Sequence, residues 1–300
     1  MKELLDLRVE PLYAWLLYKR SERENLGGIY KVVIDTSQPI YRRTEKAYKI
    51  LRKLGLYLFY GWGLDRIYNE KELQETRFLQ ILPKLFTLSG EECGTKYDES
   101  FACPICGAGG KLIPPLKIHQ SRIPKTDISM TLGQGEEILV SERFKQIMED
   151  NHITGIRYEP VYSGHKQIDF FQLLPEHYIE LSEKTKTGIS PFDLSGESPP
   201  FNIHHQNPDG KEWIEHVPLT VYKCPNGDNI GLNILSEAYI KDNPLLNELD
   251  YFASRQTIGH KGKGLIRPRH LIFCSNRMMH LIKENKLKGF KFEVAHIVNE

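Results

Sequence analysis

Apolar residues fall along the chain in short blocks whose spacing switches between the helix period and the strand period. Leu4, Leu5, Leu12, Leu16 and Leu17 form a broken apolar stripe. The stripe predicts a helix over residues 3–20, with a second helical piece starting at Pro11, where a missing N–H is harmless. Residues 29–34 (IYKVVI) read as a strand. Ala47, Ile50, Leu51 and Leu54 recur at helical spacing and predict a helix over 41–54, stopped by Gly55. Aromatic-rich 56–60 reads as a strand, and 70–82 as a further helix closed by Pro83. Residues 1–90 therefore read as an N-terminal α/β segment and 91–300 as a second region.

That second region begins in loop chemistry. From Ser89 to Gly135 the chain carries seven glycines, four prolines and three cysteines, so something other than a large core must hold this stretch. Residues 188–210 are polar and dense in Pro and Gly, and read as an exposed connection holding His204 and His205. The most informative feature is a repeat. ILVSERFKQIMEDNHITGIRYE (138–159) aligns without a gap on IFCSNRMMHLIKENKLKGFKFE (272–293) at a constant offset of 134. Ser141/Ser275, Arg143/Arg277, Asn151/Asn285 and Gly155/Gly289 are among six identities in 22 positions, and most of the remaining apolar positions stay apolar. Each copy reads as a strand, a Ser-capped helix, a glycine turn and a second strand. The expected fold class is mixed α/β (α+β): two similar strand–helix–strand units in an internal repeat, with a loop-rich, zinc-knuckle-like insertion.

Composition narrows the function classes. The 300 residues are 40% hydrophobic, with 13 Phe, 15 Tyr and 3 Trp, which is enough apolar surface to bury a core. Lys plus Arg is 40 and Asp plus Glu is 39, whereas a dedicated nucleic-acid binder usually carries a basic excess. A local basic patch remains in Arg255–His270, where Arg255, Lys261, Lys263, Arg267 and Arg269 occur without an acid. No apolar stretch reaches the roughly 18–20 residues of a spanning helix, and the first residues are acidic where a signal peptide is basic. The expectation is a cytoplasmic protein with no membrane partner. Five cysteines are too sparse for a disulfide scaffold.

The sharpest local chemistry is Cys103-Pro104-Ile105-Cys106-Gly107. Two thiols two residues apart, followed by glycine, form the knuckle that grips zinc, because the glycine lets backbone N–H groups turn toward the sulfurs. Structural zinc wants four ligands. Cys93 and Cys224 are the expected completing pair, Cys224 opening a second knuckle (Cys224-Pro225-Asn226-Gly227) whose second cysteine is gone. His119, His204 and His205 are alternative fourth donors. The competing readings are a knuckle that folds without metal and a redox pair. Nucleophile-elbow, HExxH, Rossmann and kinase signatures are missing, so the expectation is a protein that is not an enzyme. Glu136-Glu137 and Glu248–Asp250 are nominees for contact with a basic partner.

Glu92–Asp98 (ECGTKYD), Ala102–Gly107 (ACPICG), Ile138–Arg143 (ILVSER), Gly155 and Pro160-Val161 together resemble the double-CXXCG motif proteins. These are bacterial relatives of the immunity proteins of polymorphic toxin systems. The likeness covers roughly residues 90–298, and the second knuckle, CPNG in place of CPxCG, departs from it. The resemblance implies a non-enzymatic cytoplasmic protein that binds and neutralises a cognate toxin, with contact residues that do not carry over between pairs. The alternative expectation is a zinc-containing nucleic-acid-binding protein, resting on the knuckle and the basic run.

Overall fold

A computed structural model describes residues 1–87, 93–131, 137–194, 201–206, 212–260 and 267–300. The chain forms two compact units: Met1–Glu72 with Ser190–Glu197, and Leu73–Ile189 with Ser198–Glu300. The division lies at residue 72 rather than 90, because the strand that follows it pairs inside a sheet of the second unit. Among the described residues no helix is long and apolar enough to cross a membrane.

The first unit holds β1 (Lys2–Val9), α1 (Pro11–Leu17), β2 (Arg23–Asn25), β3 (Tyr30–Asp35), α2 (Pro39–Lys53) and β4 (Phe59–Ile67). Its antiparallel sheet runs β2-β3-β1-β4. The helix expected over 3–20 is thus a strand followed by a helix. Leu5, Leu7 and Val9 are fully buried at every second position, a strand period that the adjacent pair Leu4-Leu5 disguises. Pro11 does start α1, and α2 covers most of the predicted 41–54 helix. Leu5, Leu7, Val32, Ile34 and Tyr48 pack into one core with Phe192 from the unit's second segment. A short helix, α3 (Glu70–Gln74), is all that forms of the helix expected over 70–82.

The second unit is built twice over. Its first half runs β5 (Phe78–Pro83), β6 (Phe86–Thr87), β7 (Lys96–Asp98), β8 (Lys111–Ile113), β9 (Leu116–Lys117), β10 (Ile128–Thr131), β11 (Ile138–Ser141), α4 (Glu142–Asp150) and β12 (Ile156–Ser163). The second half runs β13 (Lys166–Pro175), β14 (Tyr178–Ile179), β15 (Thr187–Gly188), β16 (Phe201–Gln206), β17 (Glu212–Val217), α5 (Leu219–Tyr222), β18 (Asn233–Ile234), β19 (Ala238–Lys241), β20 (Tyr251–Ile258), β21 (Arg269–Ser275), α6 (Asn276–Glu284) and β22 (Phe290–Val298). The helices α4 and α6 coincide residue for residue at the 134 offset, as the repeat predicts. His204 and His205, expected in a loop, lie on the β16–β17 hairpin, opposite Ile214 and Trp213.

Two six-stranded sheets result, ordered β6-β10-β11-β13-β12-β9 and β14-β20-β21-β5-β22-β19. They match position by position, with β13 of one corresponding to β5 of the other. The senses match too: the outermost pairing at each edge is parallel and the three inner pairings are antiparallel. The repeat therefore extends well beyond its 22 legible residues. It also contains an exchange. The half that begins with β5 lends that strand to the other half's sheet, between β21 and β22, and receives β13 between β11 and β12. This is why residues 73–90 belong to the second unit.

Reciprocal bonds tie the halves. Asp127 accepts from Ser141 Oγ (2.9 Å) and from the Lys288 N–H (2.7 Å). Asp250 accepts from Ser275 Oγ (2.6 Å) and from the Thr154 N–H (3.3 Å). Arg143 donates to the Asn285 carbonyl and Arg277 to that of Asn151. One apolar core is shared, with Phe144 and Met148 of α4, Met278, Met279 and Ile282 of α6, and Leu79, Ile81, Val140 and Leu173 from the sheets. Burying each such side chain contributes about 1.5–3 kcal/mol.

Candidate metal centre

Strands β7 and β8 pair through Lys96↔Ile113, Tyr97↔Leu112 and Asp98↔Lys111, which puts Cys103–Cys106 in the loop at the tip of a hairpin. Within it the Cys103 N–H donates to the Ala108 carbonyl (2.7 Å) and the Gly107 N–H to the Cys103 carbonyl (2.8 Å). The second half carries a matching turn after α5. There the Cys224 N–H donates to the Asn229 carbonyl (2.8 Å), again five residues on. Counted along the chain from these two cysteines, Gly227 stands where the first knuckle has Cys106 and Asp228 where it has Gly107, and the inner bond is one residue tighter, with the Gly227 N–H donating to the Cys224 carbonyl at 2.9 Å. The missing second cysteine is thus a glycine, and the next residue is a carboxylate.

The two turns meet. Sγ of Cys103, Cys106 and Cys224 and a carboxylate oxygen of Asp228 all lie within 4.8 Å of one another. Cys103 Sγ is 3.6 Å from Cys224 Sγ, and Cys224 Sγ is 3.9 Å from Asp228 Oδ2. Thiolates 2.3 Å from a tetrahedral ion sit roughly 3.8 Å apart, so this spacing fits a four-coordinate metal, and three sulfurs with one oxygen suit a borderline-soft one. The three cysteines are buried, Asp228 is half-buried, and all five cysteines of the chain are free thiols.

Cys93, expected among the ligands, stands outside this group. It lies at the base of the hairpin, where Thr95 Oγ1 exchanges hydrogen bonds with the Lys117 backbone (2.9 and 3.0 Å) and ties the segment to β9. Asp228 takes the fourth place. The group includes no histidine. The signal for Asp228 was its position directly after the second knuckle, in a CPNGD run that reads first as turn chemistry.

The sulfurs differ in their surroundings. Burial raises the Cys103 thiol, but N–H groups of Cys106 and Ile105 aimed at its sulfur outweigh that and leave its pKa below the ordinary value. Asn226 Nδ2 also donates to Cys103 Sγ, at 3.5 Å. Cys106 is fully buried and pushed up to about 12, chiefly by desolvation. Without a cation it keeps its proton; ligation requires that proton to leave. Arg267, from the basic run, braces the first knuckle: it is buried, pairs with Glu99 and donates to the Gly107 carbonyl at 3.4 Å.

Two of the acidic nominees are engaged internally, while Glu248 is exposed. Glu137 is buried and accepts from Tyr97 Oη (2.8 Å) and Thr131 Oγ1 (2.7 Å), and Asp250 holds the α6 cap. Glu136, Lys261 and Lys263 lie outside the described residues. Set against protein-family models and curated proteins, the chain matches none of them.

Proposed function

We propose that this chain is a zinc-pinned binding protein: a cytoplasmic immunity protein that neutralises a cognate bacterial toxin by occlusion, with no turnover of its own. The observation that carries the reading is the double knuckle. Two turns at equivalent places in two equivalent halves converge on one donor set, and a repeated knuckle is what the resemblance implies. Cys103, Cys106, Cys224 and Asp228 would hold the ion. Its contribution is structural, cross-linking two loop-rich arms. A fixed surface is what an inhibitor of this kind needs, because pre-organisation limits the ordering cost of binding.

The nucleic-acid reading draws less support. Arg255 pairs with Glu180 at 3.1 Å and Arg267 with Glu99, so these two cations of the basic run are already matched by acids. The test is co-expression with the product of the neighbouring gene, alongside elemental analysis of the purified chain. The reading expects one zinc per chain, a stable complex and protection from toxicity. Absence of zinc sinks the metal assignment. Catalytic turnover by the isolated chain, or strongly salt-dependent binding to DNA or RNA without any protein complex, sinks the immunity assignment.

A further inference from the structure

Asp228 differs from its three companions in more than its donor atom. It is the only half-buried member of the group, and with Cys103 it forms part of the wall of an open cavity of about 240 Å³. Asn226, Arg255, Thr257 and His270 also face this cavity, with Phe101 at its side. The cavity thus adjoins the centre at Cys103 and at Asp228, the one oxygen donor and the one donor that is only half-buried.

A borderline-soft ion held by three thiolates accepts either an oxygen or a sulfur as its fourth donor, so a thiolate can compete with the single carboxylate. The sequence accounts for the carboxylate: three residues after Cys224 stands Gly227, where the first knuckle has Cys106 three residues after Cys103, so the second knuckle has no second sulfur to offer. From these observations, and resting on the metal reading just given, we propose that Asp228 is a displaceable ligand and that the cavity admits a thiolate from outside the chain as the fourth donor. In that exchange the incoming thiol gives its proton to solvent, its sulfur takes the donor position, and the Asp228 carboxylate leaves it; nothing is oxidised. The source is either a small free thiol or a cysteine of a bound protein.

Cobalt(II) substitution tests this in the full chain, because thiolate-to-cobalt charge-transfer bands report the number of sulfur donors. The cobalt-loaded protein is first passed through gel filtration and its metal measured. It is then titrated with 2-mercaptoethanol, with a short cysteine peptide, and with the serine twin of that peptide. The expected result is a saturable rise of about a third in charge-transfer intensity, as three sulfur donors become four, with either thiol probe and not with the serine twin. A response to the peptide alone assigns the site to a protein cysteine; a response to 2-mercaptoethanol assigns it to small thiols as well. D228C should start at the higher intensity and stay there. Cobalt that is bound but unresponsive to both thiols overturns this inference and leaves the structural metal standing; failure to bind cobalt overturns both. The wild-type titration decides the matter even if D228C does not fold.

Discussion

At the scale of single residues, equivalent positions in the two halves carry equivalent constraints. Gly155 and Gly289 both have positive φ, and a Cβ would stand 2.1 Å from the Tyr251 carbonyl oxygen at the first and 2.6 Å from that of Ile128 at the second. Backbone cannot yield as a flexible side chain can. Gly155→Ala should therefore cost about 2 kcal/mol or more in chemical denaturation, against about 1 kcal/mol for Gly164→Ala, where φ is also positive but the space is open. His270 carries a different load. Burial depresses its pKa below 6.5, and the bond from its Nδ1 to the Ser254 carbonyl (2.8 Å) only partly offsets this. The unfolded chain then binds the proton more readily than the folded one. Its contribution is complete above pH 6.5 and is lost as pH falls below that value toward the folded pKa. Denaturation midpoints of wild type and His270→Gln from pH 7.5 to 5 should show the steeper decline in wild type; parallel curves would remove His270 as the cause.

Among elements, the helices α4 and α6 show how local chemistry sets boundaries. Ser141 Oγ accepts from the Phe144 N–H at 3.2 Å, and Ser275 Oγ from the Met278 N–H at 3.1 Å. Each hydroxyl also donates to the aspartate described above, so a cap here joins a helix start to the rest of its half. Ser141→Ala and Ser275→Ala should each cost about 1 kcal/mol as caps, and somewhat more because Asp127 or Asp250 loses a donor. A cost below a few tenths would mean the caps are incidental. The strand β5 shows the opposite case. Phe78, Leu79, Gln80 and Ile81 are all buried because both faces of the strand are covered, Leu79 and Ile81 by one core and Phe78 by another, so no alternation marks it, and a short apolar run reads equally well as helix.

For the whole molecule, the exchange of β5 and β13 makes each half incomplete alone. Residues 1–163 and 164–300, produced as two chains in one cell, should copurify as a complex with native-like circular dichroism, because each supplies the middle strand of the other's sheet. Two halves that fold as separate monomers would show that the exchange is dispensable. What the amino-acid sequence determined by itself was local: the first knuckle, the two serine caps, the glycine turns and the 22-residue repeat. The knuckle, caps and turns depend on residues a few positions apart, where spacing alone dictates which atoms meet, and the repeat shows as the same local pattern occurring twice. The tertiary structure alone decided which sheet β5 and β13 enter, that β1 is a strand, and that Asp228 rather than Cys93 completes the cysteine group. Those outcomes depend on which distant segments come together, and a separation of 121 positions between Cys103 and Cys224 leaves no mark in the local pattern that says where they will meet.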